Sequence, residues 1–209
     1  MSTMPPTGFR TSTETAIKKS RFITTVARVD DEAAARAVIT EVRGRYPDAR
    51  HHATAFLLDD AGVRLTRSSD GGEPAGTAGV PILHSLTQAG LVNIVAVVTR
   101  YFGGIKLGAG GLARAYGGCV ADAVANVPRV TQVVREVWRA QVPYADAGRI
   151  QEELLRAGVT LLDSTYTQDA TQLTMVFPDG PVATLSRVTH GVLSLTPAGQ
   201  HIDEVPVNL

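Results

Sequence analysis

Arg100, Lys106 and Arg114 bracket a stretch with seven glycines between Gly103 and Gly118. Glycine is the residue whose ordering costs most conformational entropy. Such density marks either a loose linker or a backbone that must pass where a Cβ would not fit. Linker composition is excluded, because Ile105, Lys106, Leu107, Leu112, Arg114 and Tyr116 are threaded between the glycines. Without Cβ atoms, successive backbone N–H groups can converge on an anion. A helix opening after the loop adds unpaired N–H groups and the positive end of its dipole. The chemistry this suits is phosphate binding, of a nucleotide or of a nucleic-acid backbone. The residues that would carry it are Arg100, Gly103, Gly104, Lys106, Gly108, Gly110, Gly111, Arg114 and Tyr116. A tight structural junction of helix on sheet would use the same glycines. Lys106 stands out as the one lysine apart from Lys18-Lys19. The run is not a P-loop, since no Gly-Lys-Ser/Thr follows. Gly108 to Ala113 fits G-x-G-x-x-A, but the preceding strand ends too early and no acidic residue closes a second strand, so dinucleotide binding is not expected.

Other side chains offer weaker chemistry. Asp70 and Glu73 sit in a second glycine-rich loop, Ser68 to Gly79, with Ser69 and Thr77. The two carboxylates could hold Mg²⁺ or act as acid and base, or simply tie the loop and cap the following helix. His51, beside His52, is an acid/base or phosphate candidate, with no partner at metal-ligand spacing, so no metal is expected. Lys19 and Arg21 in Lys18-Lys19-Ser20-Arg21-Phe22 could touch nucleic-acid phosphate with Phe22 stacking a base; otherwise Phe22 opens a core strand. Cys119, the single cysteine, lies in an apolar helical stretch as a small buried hydrophobe. No catalytic set and no cofactor motif is found.

The elements that must position these groups follow from periodicity. Arg21–Val29 reads as a strand, and a helix over 33–45 follows with Asp30 as its cap. Ala53–Leu58 and Val63–Thr66 form a hairpin around Asp59-Asp60-Ala61-Gly62. A short helix over 82–89, a buried strand over 92–101 and a helix over 111–126 complete the first half. Phe9–Ala16 alternates only weakly. After Pro128 the order is strand 132–143, helix 145–157, strand 159–167, strand 171–177, helix 181–190 and strand 194–204. That is the βαββαβ order of a ferredoxin-like domain. The class is α+β, with domains expected over 8–126 and 130–209.

Composition bounds the rest. The chain has 209 residues, 44% hydrophobic and 19% charged, enough apolar material for two packed cores. Net charge is zero overall, which excludes bulk attraction to polyanions. Residues 1–126 nevertheless hold 14 Lys and Arg against 11 Asp and Glu, and residues 127–209 hold 6 against 9. An anion would therefore meet the first half. One cysteine, no signal-like start and no long apolar run point to a cytoplasmic protein without a membrane partner.

Four ordered segments then carry a resemblance. They are Lys19-Ser20-Arg21-Phe22-Ile23; Ala49-x-His51; Ser69-Asp70-x-Gly72-Glu73-Pro74-x-Gly76-Thr77-Ala78-Gly79-x-Pro81; and Val98-Thr99-Arg100-Tyr101-Phe102-Gly103-Gly104-Ile105-Lys106-Leu107-Gly108-x-Gly110-Gly111-Leu112-x-Arg114-Ala115-Tyr116. Together they resemble the IMPACT/YigZ family over residues 8–126. The resemblance implies a first domain with the fold of the second domain of ribosomal protein S5, a four-stranded sheet with two helices on one face. It implies a ferredoxin-like last domain like that of a translation elongation factor. Eukaryotic relatives regulate translation under amino-acid starvation by competing for an activator of a stress kinase; they carry a different accessory domain, so that protein partner does not transfer. For bacterial members the implied partner is RNA or the ribosome. The alternative is a nucleotide-dependent enzyme that holds ATP phosphates on the same loop, as small-molecule kinases of this fold do. The family has two adjacent aspartates where this chain has Asp70-Gly71, which weakens a metal or acid/base role there.

Overall fold

The computed structural model describes residues 2–60, 62–178, 180–181 and 193–207. It divides into two compact units, Met1–Thr131 with Val205–Leu209, and Gln132–Glu204.

The first unit runs β1 (Arg10–Ile17), β2 (Ser20–Arg28), α1 (Glu32–Arg45), β3 (His51–Asp60), β4 (Val63–Ser69), α2 (Gly79–Gln88), β5 (Ile94–Tyr101) and α3 (Ala109–Val124). The sheet order is β1-β2-β5-β3-β4, with every neighbouring pair antiparallel. β5 is central, and its side chains alternate between two cores. Ile94, Ala96 and Val98 join Ile82 and Leu86 of α2 and Leu112, Tyr116 and Val120 of α3. Val95 and Val97 join Ala35 and Val42 of α1. A strand covered on both faces reads as an unbroken apolar run, which is why β5 is plain in the sequence.

The expected two helices on one face are α2 and α3. A third, α1, covers the other face, and the sheet has five strands where the resemblance implies four. The additional strand is β1, an edge strand with most of its residues exposed or half-exposed. It carries no clean alternation because neither of its faces is fully buried. α1 is capped by Asp31, whose side chain accepts from the Ala34 N–H at 2.7 Å. The expected cap, Asp30, is instead held by Arg28, whose Nε donates to it at 2.8 Å.

The second unit contains most of β6 (Val130–Val142), then α4 (Tyr144–Arg156), β7 (Thr160–Tyr166), β8 (Thr171–Val176) and β9 (Leu195–Pro206). The order β7-β8-β6-β9 is that of a ferredoxin-like sheet. α4 packs Ile150 and Leu154 on Ala140, Val142, Leu173 and Met175. The helix expected over 181–190 lies, from residue 182 on, outside the described residues. Among the described residues no helix is long and apolar enough to cross a membrane.

Candidate functional site

Two glycine-rich loops lead into helices on one face of the first unit, and their N-termini differ. At α2, the Asp70 side chain accepts from the N–H groups of Gly76, Ala78 and Gly79, each at 2.9 Å. Burial pushes the Asp70 carboxyl up, but the bonds from Gly76, Gly79 and Ala78 outweigh it and hold it below the ordinary value. This carboxylate closes its loop from within, the turn-and-cap reading of the sequence. Thr77 is tied into the same loop, its hydroxyl donating to the Pro74 carbonyl at 2.7 Å. The second carboxylate that the family places after Asp70 has no room on this backbone. Gly71 has φ +58°, and a Cβ there would lie 2.1 Å from the His52 carbonyl oxygen.

At α3 no side chain among the described residues closes the end. The N-cap is Gly108 (φ 71°, ψ 165°), which has no side chain to cap with, and the first turn holds no acidic residue. The ladder begins with the Leu112 N–H donating to the Gly108 carbonyl at 2.9 Å. The N–H groups of Ala109, Gly110 and Gly111 precede it, and such first-turn groups have no partner within their own helix. Gly108, Ala109 and Gly110 are exposed. Lys106 and Arg114 are exposed beside this end, and neither has an ion pair among the described residues.

Beneath the loop lies a buried ion pair. Arg100, with 5% of its side chain exposed, donates from Nη1 to Glu73 Oε1 at 2.7 Å; the Glu73 side chain is 4% exposed. Tyr116 Oη donates to the same oxygen at 2.8 Å. Burial first, and then this bond to Glu73, push the Tyr116 phenol far up. Arg100 Nη2 donates to Ser20 Oγ at 3.1 Å, and its guanidinium lies 5.5 Å from the ring centres of Phe22 and Phe102. Ser20 Oγ also accepts from the Gly103 N–H at 3.3 Å. The β1–β2 turn, with Lys18 and Lys19 at positive φ, thus anchors the start of the glycine-rich loop.

A cavity of about 410 Å³ opens over this cluster, lined by His51, Glu73, Arg100, Phe102, Lys106 and Gly108 among others. Among the described residues, Arg100 Nε and His51 Nδ1 of this lining are buried without a hydrogen-bond partner. The latter lies 4.0 Å from Glu73 Oε1. The structure therefore brings Arg100, Glu73, His51, Lys106 and Gly108 to one place, with Tyr116 directly below. Arg100 and Tyr116 are not free cations and donors at the surface, because Glu73 already occupies them. Lys19 and Arg21 lie on the neighbouring hairpin. Arg21 is engaged by Glu14 at 2.7 Å and by the Tyr101 ring. Phe22 is fully buried and packs edge-on against Tyr116 at 5.3 Å, so it stacks no base; it opens the core strand. The surface aromatic is Phe102, 48% exposed, which sequence reasoning passed over because it sits inside the signature. Cys119 is buried, and burial pushes its thiol up.

His52 points away from this cluster's carboxylate. Its Nδ1 lies 3.0 Å from Thr99 Oγ1. Burial first, and then the Arg43 charge, lower its pKa. Its folded pKa is thus below the ordinary value of about 6.5. The unfolded chain binds the proton more readily, so stability falls as pH drops below about 6.5 and on toward the folded pKa. Denaturant melts at pH 7.5 and pH 5.0 are expected to show a smaller acid loss for His52→Gln than for the wild type. An unchanged difference would remove the assignment.

Comparison with known proteins gives the chain a context. Residues 18–124 match the Impact N-terminal domain, and residues 141–186 match a domain of unknown function, DUF1949. The chain is similar to IMPACT family member YigZ of Escherichia coli, 40% identical over 173 residues, covering 81% of this chain and 83% of the relative. It is 37% identical over 156 residues to IMPACT family member YvyE of Bacillus subtilis, covering 75% and 71%. Among solved structures, the crystal structure of a hypothetical protein matches at a TM-score of 0.60 and 36% identity, over 93% of this chain and 95% of that one.

Proposed function

The chain belongs to the IMPACT family, and within that family we propose that it is a translation-associated regulator that meets RNA phosphate, on the ribosome or free of it, through the glycine-rich loop before α3. The observation that carries this is the contrast between the two loops. Asp70 fills the N-terminus of α2, while that of α3 has no side-chain cap among the described residues and is flanked by Lys106 and Arg114, two cations without an ion pair among those residues. Open N–H groups with the positive dipole end favour an anion, and exposed Phe102 offers a face on which a base can stack. Arg100 supports the loop from below rather than meeting the ligand. The ribosome enters because the family resemblance implies for the first unit a fold like that of a ribosomal protein domain.

The enzyme alternative draws no support from a specific contact. Asp70 is taken up by three backbone N–H groups, and Glu73 by Arg100 and Tyr116, so the two carboxylates form no open pair for Mg²⁺. Filter binding of a single-stranded RNA across a salt series tests the proposal. Affinity is expected to fall steeply with salt, and Lys106→Ala to flatten the log–log slope by about 0.7, the loss of one phosphate contact on a single strand.

A further inference from the structure

The sheet of the first unit has a free edge that opens beside a helix, away from the glycine-rich loop. β4 pairs with β3 alone, from Thr54↔Ser69 to Asp60↔Val63. Of its seven residues all but Leu65 are exposed. Its outer side carries no ladder among the described residues, and a bare row of backbone N–H and C=O groups is a template for another strand.

A groove of about 410 Å³ lies between this edge and α1. Alternation sets Leu65, Arg67 and Ser69 on the face that α1 covers, with Arg67 paired in register to the buried Phe56. Arg36 and Arg43 come from α1, Arg67 comes from β4, and Thr40, Thr54 and Ser69 add hydroxyls. Among the described residues no carboxylate lines the groove. Arg36 pairs with Glu32 on its own helix, whereas Arg43 and Arg67 have no ion pair among the described residues. One charge per edge strand suffices to discourage aggregation. Three guanidiniums from two elements, converging on one groove over an apolar floor, go beyond that. Arg36 and Arg43 are about 10 Å apart along the helix axis. That lies between the reach of strand residues two apart and four apart, about 7 and 13 Å.

We propose that this edge is a docking groove for an acidic, extended peptide segment of a partner protein, which adds to β4 as a sixth strand and turns alternate carboxylates toward Arg36, Arg43 and Arg67. Main-chain hydrogen bonds to the edge supply affinity, and the arginines select acidic side chains at every second position. A nucleic acid would satisfy the arginines but leave the backbone row of β4 unused. The groove lies on the α1 face of the sheet, so it operates independently of the loop before α3.

The test uses the full chain and a blocked, fluorescein-labelled heptapeptide with glutamate at alternate positions and threonine between. Anisotropy is expected to show saturable binding. R43E/R67E is expected to weaken it by about tenfold or more, while Lys106→Ala leaves it unchanged. The same peptide N-methylated at alternate amides, and its lysine counterpart, are expected not to bind. The N-methyl arm needs no change to the protein, so it reads the proposal even if the double variant folds poorly. No binding of the parent peptide, or equal binding of the N-methylated one, overturns the proposal. So does an oligouridylate that binds the wild type but not R43E/R67E, or a dimer in sedimentation that the double variant abolishes.

Discussion

Glu73→Ala is expected to lower the stability of the first unit by about 3–5 kcal/mol, because it leaves a buried guanidinium without its counter-ion. Arg100 cannot relax to solvent. It is clasped between the Phe22 and Phe102 rings and donates to the buried Ser20 hydroxyl. Tyr116, fully buried, loses its acceptor at the same time. For a unit of this size the melting temperature should drop by on the order of 10 °C. Near-ultraviolet tyrosine signals would report it, since the single tryptophan, Trp138, lies in the second unit and gives an internal control. Neutralising both partners, as Glu73→Gln with Arg100→Gln, should destabilise less than the sum of the single changes. A loss below about 1 kcal/mol for Glu73→Ala, the range of an exposed pair, would mean that this ion pair does not hold the loop.

The second large effect is expected at Gly103. A Cβ there would lie 2.0 Å from the backbone carbon and oxygen of Lys19 and 2.5 Å from the Ser20 nitrogen. These are main-chain atoms of a tight turn, so no side chain can swing aside. Gly103→Ala must push the loop off the β1–β2 turn and break the contact of the Gly103 N–H with Ser20 Oγ. The expected cost is at least about 3 kcal/mol. Gly104→Ala is the control. Nothing lies within 4 Å of its Cβ, and only its φ of +85° is unfavourable, at about 1 kcal/mol. Chemical denaturation of the two variants separates the cases. Equal losses would show that Gly103 is there for flexibility and not for close approach.

How far these features could be read from the sequence depended on whether their cause was local. β5 was legible because burial on both faces leaves an unbroken apolar run. β1 was not, because an edge strand needs no such pattern. α3 was expected from Gly111 and α2 from Ile82, while the helices start at Ala109 and Gly79. Gly110 and Gly111 in the first turn of α3, and Gly79 and Pro81 in that of α2, read as loop, although a proline there loses only a donor that has no helical partner. The loop before α3 was found directly from its glycines and cations. Its support was not. Arg100 and Glu73 are 27 residues apart, and Arg100 and Ser20 are 80 apart. No spacing rule reaches such pairs. Asp70 was read as either a metal ligand or a turn tie, and its three backbone donors, which no spacing rule foretells, fit the turn tie.

On the proposed function, the uncapped start of α3, with Lys106, receives RNA phosphate. The most direct test is the slope of log affinity against log salt for one single-stranded RNA, measured side by side for the wild type and Lys106→Ala. A steep wild-type slope is expected, and a variant slope shallower by about 0.7, with the fold intact. Parallel slopes, or no RNA affinity for the wild type at low salt, would contradict it.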